Sequence, residues 1–118
     1  MKLISKIRKQ VKKHGLTFYW LERPAFDGTQ KCAGMDTEIF YPIEFLDRGE
    51  ARVIEKFCNN CPFKQECFEW ALVHEAYGFW GGTTPPDRER IRRANKIGLV
   101  PVEYISEFFN GDGRVGTR

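Results

Sequence analysis

Four cysteines, Cys32, Cys58, Cys61 and Cys67, follow the pattern C-x25-C-x2-C-x5-C, and no other feature limits the fold of this chain so strongly. A thiolate pair two residues apart can turn both sulfurs toward one centre. Cys67, nearly two helical turns further on, returns to that centre if the chain between reverses direction, and Cys32 closes the shell from a separate segment. Four thiolates suit a tetrahedral zinc ion or an iron-sulfur cube. Structural zinc sites favour repeated short knuckles, from which the x5 interval and the remote fourth cysteine depart. Spacing alone leaves a cluster, zinc, and disulfides or reduced thiols all open.

At 118 residues the chain has room for one domain. A chain of this size buries roughly 60 to 70% of the surface it exposes when unfolded, enough for a modest core but not for a large enclosed substrate cavity. No stretch approaches the roughly 20 apolar residues of a membrane span, and the basic N-terminus is not followed by a signal-type apolar run. A soluble, cytoplasmic protein is expected, and in that compartment cysteines hold metals or do redox work more often than they form disulfides. His14 and His74 lie at no recognisable nucleophile motif, so the chain is read as a non-enzyme with no small-molecule substrate. His74, seven residues after Cys67, is expected to be a surface or packing histidine rather than a ligand.

The net charge of +3 conceals a segregation. Residues 1–31 carry eight Lys/Arg against two Asp/Glu, residues 32–82 carry four against nine, and residues 83–118 carry seven against five. An acidic, cysteine-bearing centre thus lies between basic ends, and local potential of this kind is what a charged partner meets. Leu3, Ile4, Ile7 and Val11 at helical spacing among lysines predict a basic amphipathic helix over residues 2–13, ended by Gly15. It is read either as a solvated helix or as one that binds anionic phosphate or lipid. An irregular arm follows from Leu16 to Lys31, and no strand shows convincing alternation. Ile39, Phe40 and Tyr41 form an apolar run stopped by Pro42. A helix is expected to lead into Cys58, and a second to run from Pro62 to about Ala76. Gly78, Phe79, Trp80, Gly81 and Gly82 then make a tight turn. Thr84, Pro85, Pro86 and Asp87 carry the signature of a capped helix start, opening an Arg-rich helix ended by Gly98. Pro101 opens a short helix through Phe109, and a Gly-rich tail begins at Gly111.

The cysteine pattern, the Gly-Phe-Trp-Gly-Gly turn and the Arg-rich helix after it, in this order, resemble the WhiB-like family of actinobacterial and actinophage transcription regulators over about residues 26–96. Phe79 departs mildly from the Val or Ile usual there, and Phe40 with Tyr41 fits the aromatic pair such proteins place after the first cysteine. The resemblance implies a 4Fe-4S cluster on Cys32, Cys58, Cys61 and Cys67. It also implies docking on region 4 of the primary sigma factor, and so action on RNA polymerase at promoter DNA. The implied fold is mainly α, a small domain of about four to five short helices organised around the cluster. Residues 1–25 form a basic extension, 26–97 the cluster-binding domain and 98–118 a short helix with its tail. In a chain this short an inorganic centre can substitute for a large core.

Trp80, held between glycines, suits an exposed anchor for a partner, or alternatively a lid over the cluster. The resemblance places Gly78, Phe79, Trp80, Gly81 and Gly82 on the sigma-binding surface, with Phe40, Tyr41 and, less specifically, Phe26 beside them; Phe40 and Tyr41 read equally as core residues. Arg88, Arg90, Arg92, Arg93 and Lys96 are candidates for promoter phosphates, and equally for an ordinary solvated face. Two other classes compete with a cluster-bearing regulator: a structural zinc module binding nucleic acid, and a thiol-disulfide oxidoreductase built on Cys58 and Cys61.

Overall fold

The computed structural model describes residues 2–30 and 48–101. Cys32, Phe40 and Tyr41, the helix expected after Pro101 and the Gly-rich tail lie outside the described residues. Two strands, β1 (Ile7–Lys13) and β2 (Leu16–Leu21), are followed by three helices, α1 (Arg48–Asn59), α2 (Lys64–His74) and α3 (Pro85–Asn95). Helices of 12, 11 and 11 residues against strands of 7 and 6 make the described part mainly α, with a hairpin added.

The hairpin overturns the helix expected over residues 2–13, the arm from Leu16 and the absence of strands. Ile7 and Val11 are four residues apart, a spacing that satisfies one face of a helix and one face of a strand equally. The run Leu-Thr-Phe-Tyr-Trp-Leu decides between them, because β-branched and aromatic residues favour an extended chain and need a paired neighbour. β1 supplies it, with Val11 opposite Phe18 and Ile7 opposite Leu21 in antiparallel register. His14 and Gly15, both at positive φ (53° and 77°), form the two-residue connection whose twist matches that of the strands. The opposite edge of β2 continues into the segment after α3: the Thr17 amide donates to the Lys96 carbonyl at 2.9 Å, and the Gly98 amide to that of Thr17 at 2.8 Å.

α2 is the central element. Six consecutive residues, Glu69 to His74, are buried. A helix apolar on one stripe can be covered from one side, whereas one buried all round needs neighbours on every side. Here the hairpin, α3 and residues 97–100 provide them. Leu21, Trp70, Leu72, Val73 and Ile97 form the core, joined by Leu3, Tyr19, Phe68, Trp80 and Ile91. Two of the six buried residues are polar, and both are satisfied by distant backbone. The Glu69 carboxylate accepts the amides of Ile4 at 2.8 Å and Ser5 at 2.7 Å. His74 Nε2 accepts the Leu21 amide at 3.0 Å, and its Nδ1 donates to the Val100 carbonyl at 2.7 Å. The expectation that His74 packs rather than ligates agrees with this arrangement.

α3 starts as its sequence implies. Thr84 Oγ1 accepts the Asp87 amide, and the Asp87 carboxylate accepts the Thr84 amide at 3.0 Å, completing a capping box ahead of Pro85 and Pro86. Its end differs: Lys96, in the left-handed conformation at φ 54°, terminates the helix instead of Gly98. Gly98 is needed for packing, since a Cβ there would fall within the Phe18 ring. α2 likewise begins at Lys64 rather than Pro62, with Pro62 placed in the preceding turn.

Burial favours the neutral imidazole and, with the nearby Arg23 charge, holds the His74 pKa below its ordinary 6.5 against the opposing pull of the Val100 carbonyl. The unfolded chain therefore binds this proton more readily than the folded one. The contribution is complete above pH 6.5 and is lost as pH falls below it. Chemical denaturation across this range should show stability falling with acidification. In His74→Gln, which offers one donor and one acceptor without titrating, the slope should flatten.

Candidate metal centre and aromatic turn

Three of the four cysteines fall on one helix-turn-helix. Cys58 is in the last turn of α1, Cys61 in the connection and Cys67 in the first turn of α2. The Cys61 amide donates to the Cys58 carbonyl at 3.1 Å, the Lys64 amide to that of Cys61 at 3.2 Å, and the Cys67 amide to that of Phe63 at 2.8 Å. These bonds reverse the chain within a few residues, as return of Cys67 toward the C-x2-C pair requires. All three are partly exposed, and no disulfide joins any two of them. Among the described residues no three His, Cys, Asp or Glu side chains are arranged to hold a metal ion. The donor chemistry nonetheless fits a soft metal centre: reduced thiols on one turn, open to solvent, with Cys32 as the remaining thiol of the sequence.

The Gly-Phe-Trp-Gly-Gly turn packs directly on this unit. Gly78, Gly81 and Gly82 adopt φ of 78°, 55° and 78°. At Gly81 a Cβ would stand 2.6 Å from the Lys64 carbonyl oxygen and from the Phe68 amide nitrogen, so the backbone lies flat on the start of α2. At Gly82 it would stand 3.8 Å from Cys58 Cβ. At Gly81 glycine is therefore required both by φ and by close approach, and at Gly82 by φ. Trp80 and Thr83 exchange backbone hydrogen bonds at 3.1 and 2.9 Å, and the Thr83 hydroxyl adds a third to the Trp80 carbonyl at 2.6 Å. Trp80 is half-buried, its ring 5.3 Å from that of Trp70, while Phe79 is buried at 8% exposure. Phe79 thus anchors the turn from beneath, and Trp80 keeps one part at the surface. Phe26, 43% exposed, meets Phe63 edge to face at 5.3 Å and so lies beside the cysteine turn.

The arginines of α3 divide into two kinds. Arg88 is fully buried, and its guanidinium donates to the carbonyls of Thr83, Tyr77 and Gly78 at 2.8 to 2.9 Å. Its planar fork satisfies three carbonyls at the two ends of the turn at once, a task for which arginine is suited. Arg88 is thereby removed from the set of phosphate-binding candidates. Arg92 is half-buried and donates to the Leu72 carbonyl at 3.0 Å, fastening α3 to α2. Arg90, Arg93 and Lys96 are exposed, the first two paired with Asp87 and Glu89. The inward direction of Arg88 has a faint signal in the sequence, since it follows immediately on the capping residue Asp87. Glu69 has a plainer one, as an acid beside the apolar run Trp70 to Val73.

The sequence model of the family described as transcription factor WhiB matches residues 27–91, more than half of the chain. The chain belongs to the WhiB family. It is 40% identical over 63 residues to the transcriptional regulator WhiB2 of Mycobacterium tuberculosis, covering 52% of this chain and 67% of that one. With the transcriptional regulator WhiD of Streptomyces coelicolor it shares 39% over 74 residues, covering 56% and 65%. With the redox-responsive transcriptional regulator WhiB3 of Mycolicibacterium smegmatis it shares 36% over 64 residues, covering 49% and 66%. The chain thus spans about two thirds of the length of each of these WhiB relatives. The matched region contains all four cysteines and the aromatic turn, whereas β1 and β2 precede it.

Arg88→Met keeps an unbranched apolar stem and removes every donor. Leaving buried carbonyls unsatisfied should destabilise the protein by about 3 kcal/mol, measured by urea denaturation. The Trp80 fluorescence environment should change in the folded state, because the turn loses the group that joins its ends.

Proposed function

We propose that this chain is a 4Fe-4S transcription regulator that docks on region 4 of the primary sigma factor, with Cys32, Cys58, Cys61 and Cys67 as cluster ligands. The observation that carries the reading is the close approach of the Gly81 backbone to the start of α2, which joins the aromatic turn to the helix that bears Cys67. Thiolate chemistry and the family of regulators to which the chain belongs support the same reading. When bound, the cluster supplies a redox-sensitive inorganic centre.

The chain's own residues supply the coupling. Cys58 and Cys67 sit on the two helices whose junction the Gly81–Gly82 backbone covers, and Arg88 holds the far ends of that turn. A displacement at the cysteine junction is therefore transmitted to the turn, and Trp80 and Phe26 present the aromatic surface there. Binding, not catalysis, is the proposed mode of action, in keeping with the transcriptional regulators to which the chain is similar. No helix among the described residues is long and apolar enough to cross a membrane. A cytoplasmic place beside RNA polymerase and promoter DNA follows from the proposed role.

Protein purified without oxygen should show broad visible charge-transfer absorption with iron and sulfide on analysis. Stoichiometric zinc without sulfide would replace this reading with a structural zinc module, and reversible turnover of a disulfide substrate by the metal-free protein with an oxidoreductase.

Docking is tested separately, by co-purification with sigma region 4. Trp80→Ala should abolish it while iron content is kept, and unchanged co-purification with an intact cluster would remove the turn from the interface.

A further inference from the structure

Two basic stretches far apart in the sequence, residues 2–13 and 88–96, meet in space. Thr17 of β2 is the junction: its amide and carbonyl pair with Lys96 and Gly98 on one edge, and Lys12 of β1 stands opposite it on the other. Lys12 and Thr17 lie on paired strands, and Ile97 bridges Thr17 in parallel on the far edge, next to Lys96 in its left-handed conformation. Strands lie about 4.8 Å apart, so the backbones of Lys12 and Lys96 are separated by about 10 Å. The His14–Gly15 turn and the C-terminal end of α3 therefore lie close together.

From this juxtaposition we propose that the hairpin and the end of α3 form a single docking surface for the backbone of duplex DNA, with Lys12 and Lys96 as phosphate contacts. It rests on the reading of the chain as a transcription regulator and locates the DNA contact outside the residues matched by the family.

Charge complementarity carries the choice of partner. Residues 1–21 contain six Lys/Arg and no Asp or Glu. Lys12 and Lys96 are exposed, and among the described residues neither forms an ion pair, whereas Arg90 and Arg93 are already engaged by acids on α3. The shape agrees: a two-stranded ribbon fits the major groove, and seven residues of β1 extend about 20 Å, beyond the roughly 12 Å groove width, so that its lysines reach flanking phosphates.

The disposition of the apolar side chains disfavours other anionic partners. Insertion into a bilayer needs a contiguous apolar face. Among the exposed aliphatics, Ile4 and Ile7 lie at or before the start of β1 and Leu16 at the opposite end of the ribbon, while Tyr19 and Leu21 are part of the core. Stacking on single-stranded bases needs open aromatic faces. Arg8 covers Trp20 at 5.7 Å, and Phe18 lies against Gly98.

The test is the salt dependence of binding of the full chain, prepared without oxygen, to a short random-sequence DNA duplex. Lys12→Gln and Lys96→Gln should each reduce the slope of log K against log salt by about one, and together by about two. Lys96→Gln leaves the hairpin edge untouched, so it reports even if Lys12→Gln disturbs pairing. An unchanged slope in Lys96→Gln overturns the proposal. So does an equal loss in Arg52→Gln on α1, which would mean that net charge alone matters. Vesicles of phosphatidylglycerol and single-stranded DNA serve as competing probes, and equal loss of binding to either overturns the choice of duplex. Co-purification with sigma region 4 should be unchanged in both variants, which separates failure of this surface from failure of the docking role.

Discussion

Complete burial of α2 from Glu69 to His74 is the constraint on which the rest of the fold depends. A helix that hides six successive residues must be surrounded, and a chain of this size can surround only one such element. The polar residues at the two ends of the buried run determine which segments do the surrounding. Burial alone would raise the Glu69 pKa, yet hydrogen bonds from Ser5, Ile4 and Gln65 outweigh it and hold the carboxylate below its ordinary value. His74 is kept neutral at the other end. Each fastens a segment remote in sequence, so these two side chains specify position as well as satisfying buried polarity.

The same logic extends to the aromatic turn. Arg88 costs desolvation of a permanent cation, and a methyl-bearing side chain could fill the volume at lower cost. What only arginine provides is a rigid fork that binds carbonyls from residues 77, 78 and 83 together. With its ends tied, the turn is pressed on the start of α2 by Gly81. A turn so constrained follows the cysteine junction instead of fluctuating independently, which is the property a metal-linked docking surface requires.

Much of this unit was legible in the sequence because its signals are local. The capping box at Thr84 and Asp87, the glycines around Trp80 and the helix leading into Cys58 each follow from a few adjacent residues. The hairpin was not legible from residues 2–13, whose apolar positions fit two periods, and it became determined only through the aromatic run after Gly15. Glycine commonly ends a helix, but Gly98 serves contact with Phe18, some 80 residues earlier in the chain. Arg88 and Arg92 were grouped with their neighbours as a basic face, since a helical repeat gives angular position but not which angle meets α2. The misreadings thus share one cause: long-range packing selected between local options that the sequence left nearly equal.

Charge segregation along the chain takes on a different sense once Thr17 is seen to bond with Lys96 and Gly98. In sequence the acidic centre separates two basic ends, which suggests two independent contacts with a polyanion. In space the hairpin is stitched to the end of α3, so Lys12 and Lys96 come close together, while the cysteine turn and aromatic loop gather at the N-terminal end of α2. Association with a polyanion strengthens with the number of phosphates engaged at once, so joining the segments gains affinity that two separate tethers would lose to chain entropy. The backbone bonds at Thr17 are neutral and individually modest. Their consequence is electrostatic, because they hold like charges close together at a cost that an anionic partner would repay.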